Sequence, residues 1–451
     1  MMRKILTLIL AICLTMPDAD AQWYLFPGSP QKKKEMEKAQ KEAVEAELRR
    51  IHGDKQPATG TENATTDDSI SRQAGPEVAA QASSTESVAA SEGSWDVPEE
   101  FLTEKRNDIF ELDIPETIEL ALLLPIKSTS KPSENILEYY GGALMAARDL
   151  GNKGIRINVN AYDTEDASAR ITDNGLAAAD VIIGPVSAAA IEKTLARCPA
   201  DKFIVSPLEP RAAGLADSCR VVQVAPPDNY LIEEMVRWLK EDLGYGDSVI
   251  ILKDEAESNP RHGTEYLIGC LDREGIRYET LTSYNTIRSL GSRKEHLRFI
   301  VSSERDIFIC SAVNAIGKLG ADSGNVTLYS TSKLRSMEGI NAESLFNART
   351  RMTAAYFVDY TSEDIRRFVL AYRAIFHSEP GPFAFHGYDS TRYFVGMCAE
   401  YGRQWYKKLP EKTGRGLQTD FRFNGTGDKC GYVNRAVRRV VYNQDLSMTL
   451  K

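Results

Sequence analysis

A short apolar run that ends in a Gly-Pro turn constrains this chain most. Val181–Ile183 is β-branched, Gly184-Pro185 ends it, and Ser187 precedes a run of small residues suited to a helix. This order predicts a buried parallel strand, a turn, and a helix that begins after Ser187. Ligands of open α/β sheets bind at the edge formed by the carboxyl ends of such strands. The segment therefore indicates an α/β fold with a candidate binding edge.

The alternation of apolar strands and amphipathic helices occurs in two successive series. The first series predicts strands at 118–124, 155–161, 181–183, 203–205 and 221–224, with helices at 135–150, 188–197 and 230–243. The second predicts strands at 248–252, 277–282, 307–310, 326–329 and 354–358, with helices at 263–273, 294–301, 364–376 and 385–406. A hairpin or pair of edge strands is predicted at 421–427 and 432–442. Two series predict two parallel-sheet lobes.

The N-terminus has the pattern of a cleavable signal peptide. Met1–Lys4 is positively charged, residues 5–16 form an apolar stretch too short to span a bilayer, and Ala19–Ala21 supplies small residues for cleavage. We therefore predict a signal peptide over 1–21 and a periplasmic protein. A lipoprotein attached through Cys13 is the less favoured alternative, because Ile12 is bulky for the position before such a cysteine. No transmembrane segment is predicted.

Two further segments precede the folded part. Residues 22–51 are predicted as a charged segment with a helix over 31–51, either solvated or in contact with a partner. Residues 52–107 are rich in Ser, Thr, Ala, Glu and Gly and are predicted to be a disordered linker.

Composition and motifs exclude several functions. The formal net charge is −9 and no basic stripe is interleaved with aromatic residues, so nucleic acid is not an expected partner. None of the five histidines pairs at metal-ligand spacing, and no nucleophile, base and orienting group can be assembled. We predict no metal, no cofactor and no enzymatic activity. Cys198 and Cys219 flank one predicted strand and are a candidate disulfide.

Several short motifs occur in the order found in one known family. They are 122–125, ending in Pro; 140–147, with its Tyr-x-Gly-x-Ala pattern shifted to Tyr-Gly-Gly-Ala; Tyr162-Asp163; 183–187; 204–207; and 387–389. Over residues 116–445 the chain resembles the type I periplasmic binding protein superfamily, most nearly its branched-chain-amino-acid-binding branch. A similar domain forms the C-terminal part of outer-membrane lipoproteins that activate penicillin-binding proteins.

The resemblance implies two α/β/α lobes, joined by three crossovers, with a ligand cleft between them. The first lobe would contain about 116–228 and 359–408, and the second about 229–358 and 409–451. The resemblance also implies that Ser187 binds a ligand carboxylate, and that Ser206 and Glu209 lie where a small hydroxyl residue is expected. Glu209 is interpreted either as a partner for an ammonium group or as a solvated loop acid.

Other candidate ligand-binding residues follow from their positions in the predicted fold. They follow predicted strands of the second lobe or lie near the cleft, and are Asp254, Ser311, Ser330, Asp359 and the lid aromatic Tyr139. The first function hypothesis is a receptor that binds a small polar ligand, such as an amino acid or peptide, in the interlobe cleft. The alternative is a ligand-free scaffold or regulator that contacts a peptidoglycan-synthesis enzyme or another envelope protein. The long N-terminal extension favours the alternative.

Overall fold

The computed structural model describes residues 112–128, 131–210, 212–216, 220–256, 263–425 and 431–451. The predicted signal peptide, charged helix and linker lie outside these residues, and so do Cys13 and Cys219. None of the helices in the described ranges is long and apolar enough to cross a membrane.

The described strands and helices follow the predicted alternation, and we number them in chain order. The strands are β1 (Ile118–Leu124), β2 (Lys127–Ser128), β3 (Lys131–Pro132), β4 (Ile157–Asp163), β5 (Val181–Ile183), β6 (Ile204–Ser206), β7 (Val221–Gln223), β8 (Ser248–Lys253), β9 (Glu279–Leu281), β10 (Leu297–Ser302), β11 (Val326–Thr331), β12 (Arg351–Ala354), β13 (Thr413–Arg415), β14 (Asp420–Gly425), β15 (Tyr432–Asn434), β16 (Arg438–Tyr442) and β17 (Met448–Leu450). The α-helices are α1 (Glu134–Gly151), α2 (Asp173–Ala178), α3 (Ala188–Leu195), α4 (Ala212–Ala216), α5 (Asp228–Asp242), α6 (Gly263–Arg273), α7 (Asp306–Ser323), α8 (Ala342–Asn347), α9 (Glu363–Phe376) and α10 (Pro382–Tyr401).

All described strands except β2 and β3, which pair with each other, form two large sheets, one for each lobe. The first has the order β13-β14-β15-β7-β6-β5-β1-β4, and the second has the order β17-β16-β12-β11-β10-β8-β9. Neighbouring strands from β15 to β4 are parallel in the first sheet, and those from β12 to β9 are parallel in the second. The predicted two-lobe α/β fold is confirmed.

Both sheets bury apolar residues on both faces. Along β1, Leu120 and Leu122 pack with Trp405 on one face, whereas Ala121 and Leu123 pack on the other. The second sheet repeats this arrangement along β8, where successive residues enter opposite clusters. Side chains of a strand alternate between faces, so helices on both sides make every position of a central strand apolar.

The chain crosses between the lobes three times. It leaves the first sheet after β7 to begin α5, returns after β12 to begin α9, and leaves again between β15 and β16. The predicted assignment of 409–434 to the second lobe is wrong, because β15 pairs in parallel with β7 of the first sheet and β14 pairs with β15. The third crossover therefore lies at 434–438 rather than near 409.

Three predicted elements of the second lobe are also wrong. The strand predicted at 354–358 shares only its first residue with β12, which covers Arg351–Ala354. Residues 307–310, predicted as a strand, lie in the first turns of α7. Residues 294–301, predicted as part of a helix, include most of the strand β10. The apolar run at 307–310 belongs to a helix whose buried residues include Phe308, Ala312 and Ile316. A short apolar run does not distinguish a buried strand from a buried helix.

Candidate functional site

The turn after β5 is built as the sequence predicted. Gly184 has φ +90°, and a Cβ there would lie 2.1 Å from the Leu123 carbonyl oxygen of β1. Only glycine therefore fits this close approach of the turn to the central strand. Ser187 precedes α3 as its N-cap residue, but its side chain is exposed and makes no capping hydrogen bond.

Glu209 occupies the position that the sequence assigned to a ligand carboxylate. The Ala188 backbone N–H at the start of α3 donates to Glu209 Oε2 at 3.3 Å. Glu209 is only 5% exposed, so it is a buried acid rather than a solvated loop residue. A helix N-terminus favours negative charge because its first N–H groups lack partners within the helix. The protein's own carboxylate therefore serves the helix end that Ser187 was predicted to offer to a ligand.

A second set of residues surrounds the buried His386 of α10. His386 Nε2 lies 2.8 Å from the Pro207 carbonyl oxygen after β6, and Nδ1 lies 3.2 Å from Thr419 Oγ1. The rings of Tyr139 and Tyr356 meet the imidazole edge-on, at centroid distances of 5.9 and 5.1 Å. We call these residues the His386 cluster, and we count with it three neighbours in the chain or sheet: Ser206, which precedes Pro207; Gln223, which pairs with Ser206 across β6 and β7; and Gln418, which precedes Thr419. It joins the carboxyl ends of β6 and β7 to the second crossover.

The tautomer of His386 follows from its partners. A carbonyl oxygen can only accept, so Nε2 carries the proton and Nδ1 accepts from the Thr419 hydroxyl. Both ring nitrogens are thus satisfied by the neutral imidazole. Burial lowers the pKa of His386 from 6.5 to about 4, opposed by its hydrogen bond to Pro207.

A tight turn at 416–420 holds one side of the His386 cluster. The Asp389 carboxylate accepts from the backbone N–H groups of Leu417, Gln418 and Thr419 at 2.7–2.9 Å. Arg438, only 3% exposed, holds the carbonyls of the same turn. Its Nη1 donates to Leu417 O at 2.9 Å and its Nη2 to Gly416 O at 2.6 Å. The turn is therefore fixed by a carboxylate on its donors and a guanidinium on its acceptors.

Apart from the Tyr139 hydroxyl, which lies beside Ser390, four buried polar atoms of the His386 cluster have no hydrogen-bond partner among the described residues. They are Ser206 Oγ, Gln223 Oε1, Tyr356 OH and Gln418 Oε1. A buried polar atom without a partner costs about 1–3 kcal/mol, so native proteins satisfy nearly all of them with protein, water or ligand. Two of the four atoms are amide oxygens, which can only accept a hydrogen bond, and the other two are hydroxyl oxygens, which can accept or donate. The cluster is therefore suited to a polar group that donates hydrogen bonds.

The pKa of His386 leads to a prediction about acid stability. An unfolded chain takes up this proton near pH 6.5 and the folded chain only near pH 4, so stability falls as the pH decreases through this window. Asp389 opposes this trend, because burial raises its pKa to about 6 and its contribution falls as the pH rises. We expect His386→Gln to remove up to roughly 3 kcal/mol of the loss between pH 6.5 and 4, since one pKa unit corresponds to about 1.4 kcal/mol.

Urea unfolding at pH 4, 5, 6 and 7 measures this effect. The matched control is His377→Gln, because His377 is exposed at the end of α9. The control should keep the wild-type slope of unfolding free energy against pH. An unchanged slope in His386→Gln would show that His386 is not the group that titrates.

The other predicted ligand residues are not brought together in one site. Tyr139 is fully buried beside His386, and burial raises its pKa. Asp254 and Ser330 lie at the carboxyl edge of the second sheet. Arg305 contacts the Asp254 carboxylate through Nε at 2.6 Å and Nη2 at 2.7 Å, which lowers its pKa.

Two further second-lobe predictions differ from the structure in their surroundings. Ser311 lies inside α7 rather than after a strand, because 307–310 is helical. Asp359 accepts from the Thr361 N–H at 3.0 Å and hydroxyl at 2.6 Å, which makes it part of the turn before α9. Cys198 is buried and Cys219 lies outside the described residues, so their pairing stays a prediction.

Solved structures share this architecture. A protein from Rhodospirillum rubrum, assigned to a branched-chain amino acid ABC transporter, is 13% identical, matches over 74% of this chain and 100% of its own, and superposes with a TM-score of 0.52. This chain has the fold of the type I periplasmic binding proteins. The predicted resemblance is thereby confirmed for the fold. Neither a protein-family model nor a curated protein matches the chain.

Two further similar structures contain amino acids. A substrate-binding protein of an ABC transporter from Desulfitobacterium hafniense, in complex with Leu, is 14% identical over 74% of this chain and 100% of its own, with a TM-score of 0.45. A branched-chain amino acid transporter substrate-binding protein from Streptococcus pneumoniae, in complex with isoleucine, is 14% identical over 74% of this chain and 99% of its own, with a TM-score of 0.40.

Sequence reasoning missed most of the His386 cluster. None of its central residues was among the predicted ligand residues except Tyr139 and Ser206; those missed are Gln223, Tyr356, His386, Asp389, Gln418 and Thr419. One available signal was the single His followed three residues later by Asp in an apolar helix, since such residues share a face. Their partners lie far away in sequence, so the cluster itself requires the fold.

Proposed function

We propose that this chain is a non-enzymatic, exported binding protein of the cell envelope that closes its two lobes on a small polar ligand. The unpartnered Ser206, Gln223, Tyr356 and Gln418 atoms support this most strongly. Ser206 and Gln223 end β6 and β7 at the carboxyl edge of the first sheet, where ligands of α/β folds bind, and Tyr356 lies in the second crossover. The predicted signal peptide at 1–21 supports export.

The ligand's chemistry follows from Glu209 and the cluster. Because Glu209 already accepts from the N-terminus of α3, a ligand carboxylate would meet a like charge there. Hydroxyl and amide oxygens of the His386 cluster instead suit ammonium, amide N–H or hydroxyl groups. Among amino acids and peptides, we therefore favour ligands that present an amine and whose carboxyl group is blocked or remote.

A second candidate function is a ligand-free scaffold or regulator that contacts a peptidoglycan-synthesis protein or another envelope protein. The burial of Glu209 at α3 favours it, because the N-terminus of α3 is then occupied and does not offer its N–H groups to the carboxylate of an amino acid. On this hypothesis the His386 cluster holds ordered water, which also satisfies buried polar atoms.

A matched ligand series tests the two functions. The purified mature chain is titrated by calorimetry and thermal shift with leucine, leucinamide, a Leu-Leu dipeptide amide and neutral polyols. The first function predicts that amides or polyols raise Tm in a concentration-dependent way while free leucine does not. Tight binding of free leucine would contradict the assigned role of Glu209. If no compound binds or raises Tm, and the chain captures a purified peptidoglycan synthase, the scaffold function would be favoured.

Removal of the Glu209 carboxylate is expected to change ligand preference. Glu209→Ala leaves the Ala188 N–H without its acceptor, which should cost about 1 kcal/mol, the typical value of a lost helix cap. The variant should also gain affinity for free leucine relative to leucinamide, because the helix end then accepts a ligand carboxylate. Glu192→Ala, an exposed position on the same helix, is the matched control and should change neither property. A variant that still prefers the amide would count against the assignment.

A further inference from the structure

A groove on the surface of the first lobe begins at Asp389 and Gly416, beside the 416–420 turn. It has a volume of about 290 Å³ and runs between the second half of α10 and the short strand β13. Its floor is the ring of Tyr393, stacked on Phe421 at a centroid distance of 4.3 Å and an interplanar angle of 9°. Gly414 of β13 makes this floor possible, since a Cβ there would lie 2.5 Å from the Tyr393 ring.

β13 presents an open strand edge beside this groove. Among the described residues it pairs only with β14, through Thr413 with Arg422 and Arg415 with Asp420. The backbone groups on its other side therefore have no ladder partner there. An edge strand of this kind accepts an extended peptide as an additional strand.

The charges around the groove select the kind of peptide. Arg392 and Arg415 line it, are exposed, and have no hydrogen-bond or carboxylate partner among the described residues. Two acids also line the groove: Glu400, which accepts from the Tyr401 hydroxyl, and the buried Asp389, which accepts three backbone N–H groups, so basic side chains outnumber acidic ones by three to two. Lys412 adds a further positive charge 5.1 Å above the Tyr401 ring. Guanidinium groups bind carboxylates in bidentate fashion.

The helix side of the groove leaves room for an occupant. Gly396 of α10 lines the groove, and a Cβ built there meets no atom within 4 Å. Glycine is unfavourable inside a helix by about 0.5–1 kcal/mol relative to alanine. No close packing inside the first lobe explains this glycine.

We propose that this groove binds an extended acidic peptide of a partner protein, which adds to the β13 edge and sets its carboxylates against Arg392 and Arg415. The peptide side chains that point to the lobe would lie over Gly396 and the Tyr393 ring. This contact uses β13 and the second half of α10, whereas the ligand proposed above binds at the carboxyl ends of β6 and β7. It gives a protein with either proposed function a means of attaching to a partner.

Fluorescence anisotropy with labelled octapeptides tests the proposal on the full mature chain. The probes are (Glu-Val)4, its neutral match (Gln-Val)4, and a version with a central proline, which cannot donate to a strand ladder. We expect (Glu-Val)4 to bind at least tenfold more tightly than either other peptide, and its affinity to fall with added salt. Equal binding of the three peptides would overturn the proposal.

Variants locate the binding surface. Arg392→Gln and Arg415→Gln should each weaken (Glu-Val)4 binding at least fivefold, and Gly396→Leu should abolish it by filling the groove. Arg170→Gln removes an exposed charge of the same lobe outside the groove and should leave binding unchanged. Circular dichroism verifies that each variant is folded. Full displacement of the peptide by glutarate at equal concentration would overturn the proposal in favour of a small-anion site.

Discussion

Replacement of Arg438 by methionine should lower the free energy of unfolding by about 3 kcal/mol, because it removes a buried charge that several acceptors depend on. Arg438 begins β16 of the second sheet, yet its guanidinium binds the 416–420 turn of the first lobe and the Phe357 carbonyl at 2.6 Å. It also forms an ion pair with Asp420 at 2.6 Å. One side chain therefore links the second and third crossovers.

Arg435→Met provides the matched control three residues earlier. Arg435 is exposed, and its guanidinium lies 4.4 Å from the centroid of the Tyr230 ring. Loss of an exposed cation–π contact costs about 0.5–1 kcal/mol. Urea unfolding of both variants at pH 7 measures the difference, with equal m-values required for the comparison. Equal losses in the two variants would show that the carbonyls of the turn do not depend on Arg438.

Limited proteolysis of Arg438→Met tests whether this side chain also protects the second crossover, between β12 and α9, from cleavage. The Phe357 backbone N–H donates to Gln418 O at 3.1 Å, so the second crossover is tied to the same turn by its own backbone. Without the Arg438 side chain, the backbone hydrogen bond from Phe357 to Gln418 still joins the crossover to the turn. Cleavage within 355–362 should increase, because the hydrogen bonds of the guanidinium are lost. Unchanged cleavage there would show that the backbone contact alone fixes the crossover.

The sequence predicted the first lobe well because its strands have unambiguous signals. Val181–Ile183 is apolar, β-branched and ended by Gly184-Pro185, so strand, turn and helix start are all encoded within ten residues. The prediction of 307–310 as a strand failed for the opposite reason. Ile307 and its neighbours are as apolar and β-branched as a central strand, but the segment forms the start of a helix packed on the second sheet.

The assignment of 409–434 failed because strand pairing is not local. The Phe421 and Phe423 side chains pack in the first core with Phe394 of α10, a contact that no spacing within 409–434 indicates. Burial of these aromatics draws the hairpin to the first sheet before the chain crosses.

The candidate site was predictable in its location but not in its chemistry. Ser187 and Glu209 follow β5 and β6, which are neighbours, so their proximity follows from the strand order. The inward direction of Glu209, which places its carboxylate on α3, depends on tertiary packing. The partners of His386 lie 33 and 179 residues away, so no sequence pattern joins them.

Substitution of Gly387 by alanine should lower the free energy of unfolding much more than the same substitution at Gly396, the other glycine of α10. A Cβ at Gly387 would lie 2.0 Å from the Tyr139 carbonyl oxygen of α1, and one at Gly142 of α1 would lie 1.9 Å from the Ala384 carbonyl oxygen of α10. The two helices thus approach through reciprocal glycines, and neither backbone can move without the other. Overpacking in cores costs typically about 1–3 kcal/mol, occasionally more, and a clash with backbone belongs at the upper end.

At Gly396 of the same helix, the change from glycine to alanine should raise the free energy of unfolding instead of lowering it. A methyl group there meets nothing within 4 Å, so Gly396→Ala should stabilise the protein by about 0.5–1 kcal/mol through helix propensity alone. Thermal and urea unfolding of the two variants should therefore differ by roughly 3–4 kcal/mol, although composition and helix are identical. Equal stabilities would mean that α1 and α10 separate easily. Because α10 also carries His386 and Asp389, Gly387→Ala should in addition weaken any ligand that stabilises the wild-type chain, whereas Gly396→Ala should not.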